Sequence, residues 1–150
     1  AEDKIQNDIP VFVIQGNINR RDVSLLRNIL NNSNLTPEQK YMIKILSKNP
    51  PPEDIIVNKH VVHKSISQFS KYHEEFRDCY GIIPLVSFEK QPSYYTEKCT
   101  SSINYAIGYN LKCLIDSKMQ KIYNLDNAEI YENENDISMK FDKMVLDFYK

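Results

Sequence analysis

The sequence predicts an all-α fold: a compact bundle of five or six helices with one or two short extended segments laid across it. Two stripes and one scarcity predict it. Val62, Ile66, Phe69, His73, Phe76 and Tyr80 recur at steps of 4, 3, 4, 3 and 4, which is the helical period. Cys99, Ile103, Ala106, Asn110 and Cys113 recur at 4, 3, 4 and 3 within residues 93–114, a stretch that no proline interrupts. Ile107, Leu111 and Leu114 broaden that second stripe into a core-facing surface. Glycine is limited to three residues, which argues against phosphate-cradling loops, Rossmann turns and tightly turned β-sandwiches. A chain of 150 residues fits one domain, so residues 1–150 read as a single helical domain with 1–16 an extended N-terminal arm.

Residues 1–6 are charged and read as frayed. Ile9-Pro10-Val11-Phe12-Val13-Ile14 is β-branched, too short for a helix and ended by Gln15-Gly16-Asn17. It reads as an arm over the helices unless residues 82–88 pair with it. Asn19 or Asp22 can cap the next segment, whose apolar face is Val23, Leu26, Ile29 and Leu30, and Asn31 and Asn32 end it. Thr36-Pro37-Glu38-Gln39 is a strong helix-start signal, and Tyr41, Met42, Ile45 and Leu46 would be that helix's buried side. The two helices read as an antiparallel hairpin, followed by Pro50-Pro51-Pro52 as a stiff spacer. The first long helix then runs from Asn58 to a stop at Gly81. Residues 82–88 are a second extended run, broken by Pro84. Pro92 precedes the central helix, which Ser93 or Thr96 caps and Asp116-Ser117 weakens. Residues 118–132 read as a short helix or packed loop. Asn135 or Asp136 starts a last helix with the face Ile137, Phe141, Met144, Val145 and Phe148.

The chemistry-bearing residues point away from catalysis. With 19 basic and 20 acidic residues the charge is near balance and gives no footprint for nucleic acid. No run of 18 apolar residues could span a membrane. No signal peptide is visible, and the abrupt Ala1-Glu2-Asp3-Lys4 start leaves open one already removed. His60 and His63 read as solvated helix-start residues and His73 as a core histidine, because a zinc site wants three or four convergent ligands. His73 and Cys79 are six positions apart, so they diverge too far for a thiol–imidazole pair. Glu129, Glu132, Glu134 and Asp136 read as a solvated acidic face or loop. No catalytic residue, metal or cofactor is expected.

Three features bear on binding and compartment. An intact central helix holds Cys99 and Cys113 roughly 21 Å apart, beyond disulfide reach. Either can reach Cys79, and the odd count leaves open a free thiol, a bond to another chain, or three reduced and buried thiols. Asn31-Asn32-Ser33 and Asn34-Leu35-Thr36 match the N-glycosylation pattern at Asn31 and Asn34, which would suit a secreted protein. Tyr94, Tyr95, Tyr105 and Tyr109 cluster on the central helix. Tyr105 and Tyr109, one turn apart and off the main stripe, form either an exposed interaction surface or a packing face for a neighbouring helix.

Cys99, Tyr105 and Cys113 make a Cys–Tyr–Cys spacing, and Tyr72 and Cys79 stand in a similar relation in the preceding long helix. Over residues 64–113 this resembles the bicycle proteins, secreted salivary effectors of aphids that carry two Cys–Tyr–Cys motifs. The chain departs from that pattern at Ser65, where the first motif would have its first cysteine, and Tyr72 is offset by one from Tyr105. The resemblance implies a secreted, helical, non-enzymatic protein acting on host tissue, with a bond from Cys79 to one of the other two cysteines. The expected function is therefore a secreted effector or binding protein that engages a host macromolecule, with a host protein as partner. The alternatives are a helical carrier of a small apolar ligand, lined by Phe69, Phe76, Ile103 and Ile107, or a cytoplasmic helical interaction domain.

Overall fold

The apolar run behind Pro10 is not an arm but the middle strand of a sheet. In the computed structural model, which describes residues 8–65, 69–96 and 101–150, β1 (Val11–Gln15) is buried along its whole length. It pairs in parallel with β2 (Met42–Leu46) on one side and β4 (Gly81–Ile82) on the other. β3 (Val61–Lys64) adds outside β2; β5 (Lys112–Asp116) and β6 (Ala128–Tyr131) add outside β4. Among the described residues the result is a six-stranded, all-parallel sheet of order β3-β2-β1-β4-β5-β6. The expectation of an all-α bundle is thus overturned: the chain is α/β. Helices lie between the strands because parallel neighbours need a crossover that carries the chain back across the sheet.

Both faces of the sheet are covered. Phe12 and Ile14 of β1, Ile43 and Ile45 of β2 and Leu114 of β5 face one layer, built by α1 (Val23–Asn31), α2 (Glu53–Ile56) and α7 (Ile137–Phe148). Val11 and Val13 with Ile82, Cys113 and Ile115 face the other layer. That layer receives Phe76, which follows α3 (Phe69–Glu74), Tyr95 of α4 (Ser93–Thr96), Ile103 and Ala106 of α5 (Ser101–Gly108), and Met119 of α6 (Ser117–Tyr123). A strand buried on both faces shows a continuous apolar run with no alternation, which is why β1 and β5 carry no strand-like period.

The two long helices expected over 62–80 and 93–114 do not exist as such. Val62 sits exposed on β3, and the chain passes through a separate short helix before Phe76. In the second stretch α5 ends at Gly108, Asn110 turns left-handed at φ 53°, and Cys113 falls in β5. Asn tolerates that conformation, so it closes the helix where the stripe assigned it to the core. Thr36 to Gln39 also does something other than start a helix. The Thr36 N–H donates to Gln39 Oε1 at 2.8 Å and the Gln39 N–H donates to the Thr36 carbonyl at 3.0 Å. The first is the Gln half of a cap and the second is the backbone bond that closes a turn, and together they lead the chain into β2.

The cysteines are corrected with the fold. Cys79 and Cys113 are buried free thiols, Cys99 lies outside the described residues, and no disulfide is formed among the described residues. Cys113 belongs to a strand and Cys79 to the loop ahead of β4. Burial pushes the Cys79 thiol up to about 12 and holds Cys113 well above the ordinary thiol range. Both behave as small apolar groups.

Candidate functional site

Where strand order reverses, between β1 and β4, the connections leave in opposite directions, and ligands of open α/β sheets bind outside the carboxyl ends of the strands near that point. A cavity of about 430 Å³ opens there. Four successive strand ends contribute to it: Asp22 after β1, residues 87–90 after β4, Asp116 to Lys118 after β5, and residues 131–135 after β6.

Each polar wall is set by local geometry. Asp22 is the N-cap of α1 and accepts from the Ser24 N–H at 3.2 Å and from the Ser24 hydroxyl. Lys90 Nζ donates to the same oxygen at 3.0 Å, and the Asp22 N–H donates to the Leu85 carbonyl at 2.7 Å. Burial pushes this carboxyl up, but the bonds from Ser24, Ser87 and Lys90 outweigh it, and its pKa is lowered. Asp116 closes β5 and caps α6, accepting from the Met119 N–H at 2.7 Å. Its second oxygen accepts from the Tyr95 hydroxyl, which also lies 3.1 Å from the Val86 carbonyl. Burial and the Asp116 charge push the Tyr95 hydroxyl far up. Asp136 shapes the β6 loop by accepting from the N–H groups of Glu132 and Asn133 at 3.2 and 3.0 Å.

Tyr131 brings a phenol to the cavity. It ends β6, is 5 % exposed and lines the cavity. Burial and then the charges of Asp116 and Asp22 push its hydroxyl far up. Among the described residues that hydroxyl takes no hydrogen-bond partner. Phe88 adds an apolar wall, 40 % exposed, with Lys118 Nζ 4.0 Å from its ring centroid.

The first strand-to-helix turn, which holds pyrophosphate in dinucleotide-binding sheets of this strand order, is built differently. It has a single glycine, Gly16, at φ +99°. Arg21 Nη2 donates to the Gln15 carbonyl at 3.0 Å and fills the space where a Cβ on Gly16 would be. The Asp22 carboxylate already sits on the amino end of α1. A phosphate brought to that helix end would meet a negative charge. The cavity as a whole is acidic, with Asp22, Glu89, Asp116, Glu132 and Glu134 against Lys90 and Lys118. Carboxylates and a phenol converging on one space suit a ligand that donates hydrogen bonds. Among the described residues no group of three or more His, Cys, Asp or Glu side chains could hold a metal ion.

Of the residues singled out by sequence, Glu132 and Glu134 line the cavity, while the tyrosines, the histidines and the two asparagines lie elsewhere. Tyr95 is buried behind Asp116, and the Tyr94 ring lies 5.8 Å from the Arg21 guanidinium. Tyr105 and Tyr109 are half-buried and stack on Phe76, with centroids 4.3 and 5.4 Å away, and the Tyr109 hydroxyl bonds His73 Nδ1 at 3.0 Å. Asn31 and Asn34 are exposed around the end of α1. His60 Nδ1 lies 3.2 Å from the Tyr41 carbonyl and His63 Nε2 lies 2.8 Å from the Ser47 carbonyl. Sequence reasoning saw Asp22 only as a cap and Asp116 only as a helix weakener. It passed over Ser87, Lys90 and Tyr131. The available signal was Leu114-Ile115-Asp116-Ser117, an apolar run ending on a capping residue, which marks a strand feeding a helix.

None of the family models, curated proteins or solved structures compared with this chain matches it, so the reading of the site stands on its geometry.

Proposed function

We propose that the chain is a binding protein that takes a sugar ring, free or as part of a nucleoside, in the crevice at the carboxyl ends of β4, β5 and β6. The observation that carries this is the Tyr131 hydroxyl, which among the described residues has no protein partner, opens into the cavity, and lies in the field of the Asp116 and Asp22 carboxylates. A ring bearing vicinal hydroxyls can donate to carboxylates and bond a phenol at once, and the Phe88 face gives its apolar side a wall. The cavity volume is within the range of small-molecule sites. A bare phosphate fits less well, because Asp22 already caps α1. No bond-making step is assigned to these residues.

The expected role as a secreted effector gripping a host protein through Tyr94, Tyr95, Tyr105 and Tyr109 has less support. A protein interface needs aromatic surface to give, and these rings are largely engaged inside the fold.

Amide-resolved NMR titration with adenosine, uridine, ribose and glucose tests the proposal. At least one should shift the amides of residues 87–90 and 131–135 saturably. Tyr131→Phe, folded by circular dichroism, should weaken that binding roughly three- to tenfold, the worth of one hydrogen bond. No saturable shift at millimolar ligand, or equal binding by Tyr131→Phe, would refute it.

A further inference from the structure

A second cavity lies at the opposite end of the sheet and nothing in the crevice reading uses it. It measures about 420 Å³ and is bounded by Ile9 ahead of β1, Leu30 near the end of α1, the loop that leads into β2, and Lys59 and His60 ahead of β3. We propose that this pocket binds a small organic carboxylate with an apolar tail.

The walls divide by chemistry. Leu30, Leu35, Met42 and Ile9 supply half-buried apolar surface. Tyr41 and His60 form a flat stacked pair, with centroids 4.0 Å apart and planes 9° from parallel. Lys40 and Lys59 stand at the rim, exposed, and among the described residues neither ammonium has an ion-pair partner. Among the described residues no carboxylate is in the lining. Asp142, the acid beside Ser33, is committed to the Ser33 hydroxyl and the Asn34 N–H, each at 2.8 Å. An apolar floor with cations at its mouth complements an anion that carries a hydrocarbon body. The apolar part gains from leaving water, and the head group stays near the surface between two lysines, where little desolvation opposes it. A cationic amphiphile of the same length would meet like charge at the rim.

This inference does not rest on the sugar site; its ligand, residues and location are all different. The test is NMR titration of the chain with octanoate, octanol and octylamine. Octanoate should shift the amides of Leu35, Met42 and His60 saturably and bind roughly tenfold more tightly than octylamine, a margin of about 1.4 kcal/mol. The Lys40→Glu/Lys59→Glu double variant should lose that preference with its other amide shifts unchanged. Lys118→Glu, at the far end of the sheet, should bind octanoate as the parent does. Octylamine binding as well as octanoate, octanoate shifts mapping outside the pocket, or a double variant that keeps the preference would each overturn the proposal.

Discussion

At Lys44 a cation stands inside a buried strand. Its ammonium lies 2.9 Å from Glu75 Oε1 and 2.9 Å from Asp78 Oδ1, and its side chain is 8 % exposed. Burial lowers the Lys44 pKa, but the bonds to Asp78 and Glu75 outweigh it and the net shift is upward. For Glu75 burial acts upward, the bonds from Lys44 and Lys64 outweigh it, and the net shift is downward from 4.5. The signs fix the pH behaviour. The Glu75 contribution is full above its unfolded pKa and is lost as pH falls through its lowered folded value; that of Lys44 is full below 10.5 and is lost as pH rises through its raised value. Stability should therefore be level between these limits and fall on the acid side below about pH 4.5. Lys44→Met should cost roughly 1–3 kcal/mol at pH 7, given the partial exposure of both acids, and should flatten the acid limb in urea titrations from pH 3 to 7. The buried thiols are a second prediction at this scale. In a Cys99→Ser variant, Cys79 and Cys113 should resist a thiol reagent at pH 8 until the chain unfolds, because only thiolate reacts. Rapid labelling of the native variant would contradict the burial described.

The elements divide into those whose pattern survives tertiary context and those whose pattern does not. α1 and α7 were legible because each lies on the outside of one layer. Leu26 and Ile29 of α1 and Ile137, Phe141, Met144 and Val145 of α7 are fully buried, while Met139 and Leu146 of α7 remain exposed. Their starts were legible as pairs of candidates, Asn19 or Asp22 and Asn135 or Asp136, of which Asp22 and Asp136 hold the capping positions and only Asp22 makes the side-chain bond. The strands were not. A five-residue buried run such as Val11–Gln15 or Lys112–Asp116 is too short to separate a period of 2 from one of 3.6, and the flanking helices lent their stripes to it. The conditional pairing of 82–88 with the first apolar run came nearest, since Ile82 does pair with Val13. Of the crevice, Asp22 was visible as a possible cap and Asp116 only as the point where a helix weakens, whereas Tyr131 acquires its character only from neighbours distant in sequence. At this scale β4 is the narrow element, two residues wide. A Cβ on Gly81 would lie 2.9 Å from the Lys112 carbonyl oxygen, 2.9 Å from Phe12 Cδ2 and 3.1 Å from Met144 Cε. A backbone oxygen cannot step aside as a side-chain tip can. Gly81→Ala should lower stability by about 1–3 kcal/mol, against a change within roughly 0.5 kcal/mol for exposed Val57→Ala, both read by chemical denaturation.

For the whole molecule, the two cavities lie at opposite ends of one sheet. Ligand at either stabilises the folded chain by mass action, about 1.4 kcal/mol at ten times Kd. Nucleoside and octanoate should therefore raise the melting temperature separately, and together by nearly the sum of the two shifts, as sites without shared residues do. A combined shift well short of that sum would mean the sheet couples its ends. The position of β1 carries another consequence. It is the innermost strand, yet its β4 neighbour is encoded some 65 residues later. At synthesis speeds of roughly 5–20 residues per second, a nascent chain waits about 3 to 13 s with one flank of Val11–Gln15 unpaired. That is ample time for an apolar ribbon to find another ribosome's product. The chain's yield in cells should depend on how well chaperones shield its first strand during that wait.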